Sequence, residues 1–178
     1  MSTDNSTDLD APTEQRIAAA VNQWGEREVV DRSVALIGGL SAGDDFLLAV
    51  GGRHAEGVLK GAPVLYWPEL WGTRALLYVW DDTAILAVRA ALGNQAWRVR
   101  EMGTRVAAAR DLPLAPPITE LLLDEVPRVR AAAARALGAL GGASAVAAIR
   151  PLLKDPEIDV RRGAQQAIDA LRGSRREA

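Results

Sequence analysis

Few side chains in this sequence could do chemistry, and they cluster early in the chain. His54 follows Gly51-Gly52-Arg53, and Tyr78 stands just ahead of Asp81-Asp82. A histidine, a phenol and carboxylates near aromatic rings could together move protons in general acid–base catalysis. His54, Tyr78 and Asp81 are therefore the catalytic candidates. Each also has a plain structural use, His54 near a helix start, Asp82 as an N-cap and Asp81 as a first-turn charge, and spacing alone does not bring His54 to Asp81. The second set is aromatic: all five tryptophans, Trp24, Trp67, Trp71, Trp80 and Trp97, precede residue 98. Large rings at helix ends can anchor a partner or stack a planar ligand, and otherwise they fill gaps in irregular packing. The third set is cationic. Arg74, Arg105 and Arg135 follow one another at 31 and 30 residues, a spacing that suits an extended acidic segment if the three share one face.

Composition removes several other chemistries. The chain has no cysteine and one histidine, which leaves no thiolate nucleophile, no disulfide and no ordinary set of zinc ligands. No metal or cofactor is expected. A net charge of −2 argues against a general nucleic-acid binder, which needs a basic surface to displace counterions. The charge is uneven: residues 1–93 hold 7 basic against 13 acidic side chains, and residues 94–178 hold 14 against 10. There is no apolar run of about 18 residues and no basic-then-apolar start, so the reading is a cytoplasmic protein with no membrane partner.

The elements that position these residues come from a repeat. Val-Arg recurs as Val99-Arg100, Val129-Arg130 and Val160-Arg161, and six residues before each arginine stands Asn94, Asp124 or Asp155. After each pair an alanine-rich run carries apolar residues at helical spacing, with Val129, Ala133, Ala136, Leu137 and Leu140 in one arc and Val160, Ala164, Ala167, Ile168 and Leu171 in the next. A shorter apolar helix precedes each long one. The unit is a helical hairpin of about 30 residues, and a fixed period of that size marks a repeat array. Gly72-Thr73-Arg74 returns as Gly103-Thr104-Arg105, which extends the array back by one unit. Asp155 is placed to cap the last long helix with Pro156 at its first position, and Pro151 kinks the short helix before it. Farther back, helices are expected from about residue 10 to Gly25, over 26–37, 44–50 and 54–59, and from about 68 to 79.

The stretch Lys154-Asp155-Pro156-Glu157-Ile158-Asp159-Val160-Arg161 resembles the HEAT repeat family in its short, phycobilisome lyase-like form. The resemblance implies an all-α fold, an α-solenoid wound as a right-handed superhelix with its second helices on the concave side. It also implies an aspartate–arginine ladder, which would pair Asp124 with Arg130 and Asp155 with Arg161. The Asn94–Arg100 rung lacks one charge. Within the family, bilin lyases and alkylpurine DNA glycosylases supply precedents for an enzyme or ligand-binding protein built on the Trp-rich N-terminal region.

These readings give a tail at 1–9, a divergent helical cap at 10–62, HEAT-like repeats at 63–173 and a frayed end at 174–178. The expected function is a scaffold that binds a protein or acidic peptide on the concave face through Arg74, Arg105 and Arg135, with Trp71 and Trp97 at the edges. A small-molecule ligand on the tryptophans is the alternative.

Overall fold

The computed structural model describes residues 8–142 and 144–173, so the expected frayed end and residues 1–7 of the expected tail lie outside the described residues. Asp8 and Leu9, also assigned to that tail, enter a turn: the Ala11 amide donates to the Asp8 carbonyl at 3.3 Å. Among the described residues the regular elements are eleven α-helices and three short 3₁₀ turns. The chain divides into two compact units between Ala87 and Val88.

The first unit holds α1 (Thr13–Trp24), α2 (Glu26–Ile37), α3 (Asp44–Gly51), α4 (Arg53–Leu59) and α5 (Trp67–Ala75). Gly25, at φ +85°, ends α1 and opens α2, a conformation that costs glycine little. The long expected helix from 68 to 79 is shorter in the structure. Leu76, Leu77 and Tyr78 donate to the carbonyls of Thr73, Arg74 and Ala75, and these i→i+3 bonds wind the chain too tightly to continue an α-helix. Ile17, Val29, Val30, Phe46, Val50 and Leu76 form the core. α5 lies close against α2, because a Cβ on Gly72 would come within 2.7 Å of the Ser33 carbonyl oxygen.

The second unit is built from hairpins. α7 (Trp97–Ala109), α8 (Ala115–Glu120), α9 (Pro127–Leu140), α10 (Ala145–Ile149) and α11 (Ile158–Gly173) follow the end of α6 (Ile85–Leu92). The stripes of α9 and α11 are buried as the periodicity predicts, with Leu140 the half-exposed exception. Two glycines allow these helices to approach closely: a Cβ on Gly138 would lie 2.7 Å from the Ala167 Cα, and one on Gly163 would lie 3.1 Å from the Ala131 carbonyl oxygen. The short helices end in 3₁₀ turns, Leu121–Leu123 and Arg150–Lys154. Pro151 therefore stands where α10 gives way to a tighter turn and does not kink a longer helix, consistent with its missing N–H. Asp155 is not a cap at the first turn, since α11 begins at Ile158. It braces the turn ahead of the helix. Its Oδ1 accepts the Glu157 amide at 2.9 Å, as Asp124 accepts Val126 at 2.8 Å and Asn94 accepts Ala96 at 2.8 Å.

The ladder exists, but its rungs join different partners from those the resemblance implies. Arg100 Nε and Nη2 donate to Asp124 Oδ2 and Oδ1 at 2.7 and 3.0 Å, while its Nη1 donates to the carbonyls of Asn94 and Gln95, both at 2.9 Å. Arg130 repeats the pattern one unit on, gripping Asp155 at 2.8 and 3.0 Å and donating to the carbonyls of Asp124 and Glu125 at 2.9 and 3.3 Å. The residue six positions back thus offers its backbone oxygen, and the carboxylate comes from the following hairpin. Asn94 needs no charge in this scheme, because Arg100 takes its carboxylate from Asp124. Arg161 donates Nη1 to the carbonyls of Asp155 and Pro156 at 2.7 and 2.8 Å, and among the described residues no carboxylate completes its rung. Both complete rungs are largely buried, the arginines 11% and 14% exposed and the aspartates 6%.

Removing one partner of a buried pair strands the other's charge. Arg100→Ala and Arg130→Ala should therefore each cost about 2–4 kcal/mol, and Arg161→Ala, which loses only bonds to carbonyls, about 1 kcal/mol. Urea unfolding of the three variants checks the ranking, and an Arg161→Ala loss as large as the other two would contradict it. Protonation tests the same rung. The hydrogen bond from Arg130 holds the Asp155 carboxyl below its ordinary value of 3.8, with burial opposing. A depressed folded value means that this stabilisation is complete above the unfolded value near 4 and is lost as pH falls through the folded one. Between about pH 6 and pH 3 the parent should lose more stability than Asp155→Asn, and parallel losses would place the titration elsewhere.

Candidate functional site

In the second unit the first turns of α7, α9 and α11 present equivalent positions to one surface. The ladder fixes these turns. A concavity of about 340 Å³ opens there, lined by Glu101, Arg128, Ala131, Arg135, Glu157 and Asp159 along with Pro127. Arg135 donates Nε to Gln166 Oε1 at 3.4 Å. Gln166 is its counterpart in the next repeat, so positions of equal helical phase do meet across neighbouring helices. Trp97 lies beside this surface, its ring 4.4 Å from the Arg98 guanidinium and 5.7 Å from that of Arg128, distances at which the ring face attracts a cation. Arg105 is exposed one repeat earlier.

Periodicity identifies the arginines of this face but not its carboxylates. Glu101 reads in the sequence as an intrahelical partner for Arg105, yet it lines the concavity, as do Glu157 and Asp159. The surface carries both signs of charge. These carboxylates stand at positions that change from unit to unit, Glu101 answering to Ala131, Glu157 to Val126 and Asp159 to Arg128, and so escape a search for recurring residues.

The first unit corrects two expectations. Trp71 is only 2% exposed, because its position on α5 turns it into the packing between α3 and α4, and it cannot anchor a partner at a surface. Arg74 also turns inward and donates Nη2 to the Val50 carbonyl at 3.0 Å. It therefore does not continue the outward row of Arg105 and Arg135. The catalytic candidates are dispersed. His54 is a ring among rings, 4.1 Å edge-on from Trp67 and 5.3 Å from Trp71, while Trp67 stacks on Trp71 at 6.1 Å. Asp81 caps the short turn that follows it, accepting from the Thr83 amide at 2.9 Å and the Thr83 hydroxyl at 2.6 Å, and the hydroxyl bond holds its carboxyl below the ordinary value. No described hydrogen bond links His54, Tyr78 and Asp81. Trp24 packs on Phe46 with Arg32 over its ring at 4.8 Å, and Trp80 Nε1 donates to Asp82 at 3.0 Å.

One further surface has no recognisable sequence signal. The loops around Gly39–Gly43 and Val64–Leu65 frame an apolar hollow of about 300 Å³ that Leu36, Leu47 and Pro68 also line. Leu40 and Leu65 are 66% and 68% exposed beside it. Leu65 sits at φ +47°, a left-handed conformation uncommon for a branched side chain.

Comparison with known proteins bears on the fold. Residues 85–172 match the family described as HEAT repeats. The chain is similar to the human deoxyhypusine hydroxylase determined in complex with glycerol, at 16% sequence identity and a TM-score of 0.54, covering 92% of this chain and 81% of that one. A likeness at that identity establishes the all-α solenoid fold and nothing finer. Comparison with curated proteins gives no match. No helix among the described residues is long and apolar enough to cross a membrane.

The packing around Trp71 yields a direct test. A Cβ on Gly51 would fall 2.7 Å from the Trp71 ring and 2.6 Å from the Ala55 Cβ, so Gly51→Ala should destabilise the fold by about 1–3 kcal/mol through overpacking. Gly57→Ala, whose Cβ would meet nothing within 4 Å, should be close to neutral. Thermal melts of the two variants provide the comparison, and a harmless Gly51→Ala would mean that the ring does not close on this turn.

Proposed function

We propose that this chain, whose residues 85–172 match HEAT repeats, is a protein-interaction module that holds an extended segment of a partner protein along the surface shared by α7, α9 and α11. The observation that carries this reading is the charged concavity shared by those helices, with Trp97 beside it. A helical repeat array needs no reaction centre to be useful. It offers equivalent positions at a regular interval, and a partner in extended conformation can meet several of them in turn. Acidic side chains of the partner would pair with Arg105, Arg128 and Arg135, and the neighbouring Glu101, Glu157 and Asp159 favour basic residues between them. A segment of mixed charge thus suits this face better than a purely acidic one. Trp97 supplies the apolar contact area on which such polar interfaces commonly rely for affinity.

The reading is tested with Arg105→Glu/Arg135→Glu and, separately, Trp97→Ala. Both variants should keep the parent's helical circular dichroism. Proteins that the parent captures in a salt-sensitive manner should bind the double variant at least about tenfold more weakly, and a photo-crosslinker at position 135 should reach them while one at exposed Arg53 should not. Equal recovery by parent and double variant, with no site-specific cross-link, would overturn the proposal.

A further inference from the structure

The hollow framed by residues 39–43 and by Val64 and Leu65 has an apolar rim that the fold holds outward. Leu40 is placed by the end of α2, where its amide donates to the Ala35 carbonyl at 2.9 Å and the Gly39 amide to the Leu36 carbonyl at 3.0 Å. In this helix ending the residue after the glycine usually folds back onto the last turn, yet Leu40 stays 66% exposed. Leu65 takes the first central position of a turn closed by the Trp67 amide on the Val64 carbonyl at 3.2 Å. Its φ of +47° suits glycine, asparagine or aspartate in such turns, and its side chain is 68% exposed, so burial does not offset the strain. Strain without that compensation is found at ligand clamps and binding sites. Val64 is half-exposed beside it.

The charge around the hollow has one sign. Asp44 and Glu69 line it and no basic side chain does. Neither carboxylate has an ion pair or a side-chain hydrogen bond among the described residues. The N-terminal ends of α3 and α5 at the hollow each offer roughly half a positive charge and the end of α2 roughly half a negative one. The two carboxylates therefore leave an excess of about one and a half negative charges. Asp45, next to Asp44, is taken by Arg32, which also holds Glu28, so that group adds to the excess. At about 300 Å³ the hollow has room for a large apolar side chain and lies at the low end of small-molecule sites. A ligand confined to it would leave Leu40 and Leu65 in water, whereas a chain lying across the rim would cover both. The terminal segments do not match, since residues 1–7 bring Asp4 and no basic side chain, and residues 174–178 bring two arginines and no large apolar one.

We infer that this hollow docks a segment of a partner protein in which an apolar side chain is flanked by lysine or arginine. The apolar side chain enters beside Leu36, Leu47 and Pro68, the rim leucines lie against the flanking chain, and the cations meet Asp44 and Glu69. The contact is independent of the charged surface of the second unit.

The test uses the full chain at constant ionic strength with three blocked tetrapeptides as probes, acetyl-Lys-Leu-Leu-Lys-amide and its Glu-Leu-Leu-Glu and Lys-Ala-Ala-Lys analogues. The first should shift the methyl resonances of Leu40, Val64 and Leu65 saturably, with the other two at least about tenfold weaker. Leu65→Asn should weaken that binding at least about tenfold while melting no lower than the parent, because asparagine accepts the left-handed conformation. Asp44→Asn/Glu69→Gln should remove the preference for the basic peptide over the acidic one. Leu86→Ser, which removes a leucine 74% exposed elsewhere, should bind as the parent does. Unmoved rim methyls in the parent, or an acidic peptide that binds as tightly as the basic one, overturn the proposal even if the variants fail to fold. Octylammonium binding more tightly than the basic peptide would assign the hollow to a small amphiphile, and self-association of the parent through it would assign it to a second copy; either result overturns the proposal as well.

Discussion

The repeat half of this molecule depends on one arginine geometry used twice. A guanidinium has a planar fork on one edge and a further nitrogen on the other, and here the fork takes the aspartate of the next hairpin while the remaining nitrogen closes the turn of its own. One side chain thus satisfies two backbone carbonyls and a carboxylate together. Each aspartate in turn accepts a backbone amide as well as the fork, which leaves few lone pairs unmatched in a setting where an unmatched one would cost several kcal/mol. The need for such a device follows from the composition of the long helices. Alanine-rich stripes, broken only at positions such as Leu137 and Ile168, give a closely approached surface with reduced side-chain relief, and relief is what normally fixes the register between packed helices. The rung adds register to what the core supplies.

The first unit meets the same requirements by other means. It has no complete rung, its helices are short, and large rings replace the alanine stripe: Phe46 against Trp24, and Trp71 under His54 and Trp67. Two of its arginines, Arg16 and Arg74, donate to the carbonyls of Ala49 and Val50 at a helix end and not to carboxylates, and Arg74 Nε is left without a partner. The tryptophans therefore gather before residue 98 because irregular packing there leaves gaps that alanine cannot fill. One ring, Trp97, stands at the start of the regular half with Arg98 and Arg128 over it.

The repeat, its stripes and the identity of the ladder residues were all legible in the sequence, since each rests on recurrence at a fixed period. The rung partners were not. The family resemblance implies that Asp155 and Arg161, six residues apart, form a pair, whereas the observed bonds span 24 and 25 residues and depend on how far one hairpin is offset from the next, which no local pattern encodes. Arg74 shows the same limit. It shares its triplet with Arg105 and so reads as the same outward position, but α5 ends a turn early and faces different neighbours, and its side chain goes inside. Arg16 gave no signal, because a lone arginine at a buried phase of a short amphipathic helix looks like any solvated charge until the carbonyls of α3 are brought to it.

The most direct measurement is a pair of double-mutant cycles in urea, one joining Arg130→Ala with Asp155→Ala and the other joining Arg130→Ala with Asp124→Ala. A rung that spans hairpins gives a coupling of about 1.5–3 kcal/mol in the first cycle and less than about 0.5 kcal/mol in the second. A coupling concentrated between Arg130 and Asp124 would return the ladder to a contact within each repeat and would contradict the account of how the hairpins are held in register.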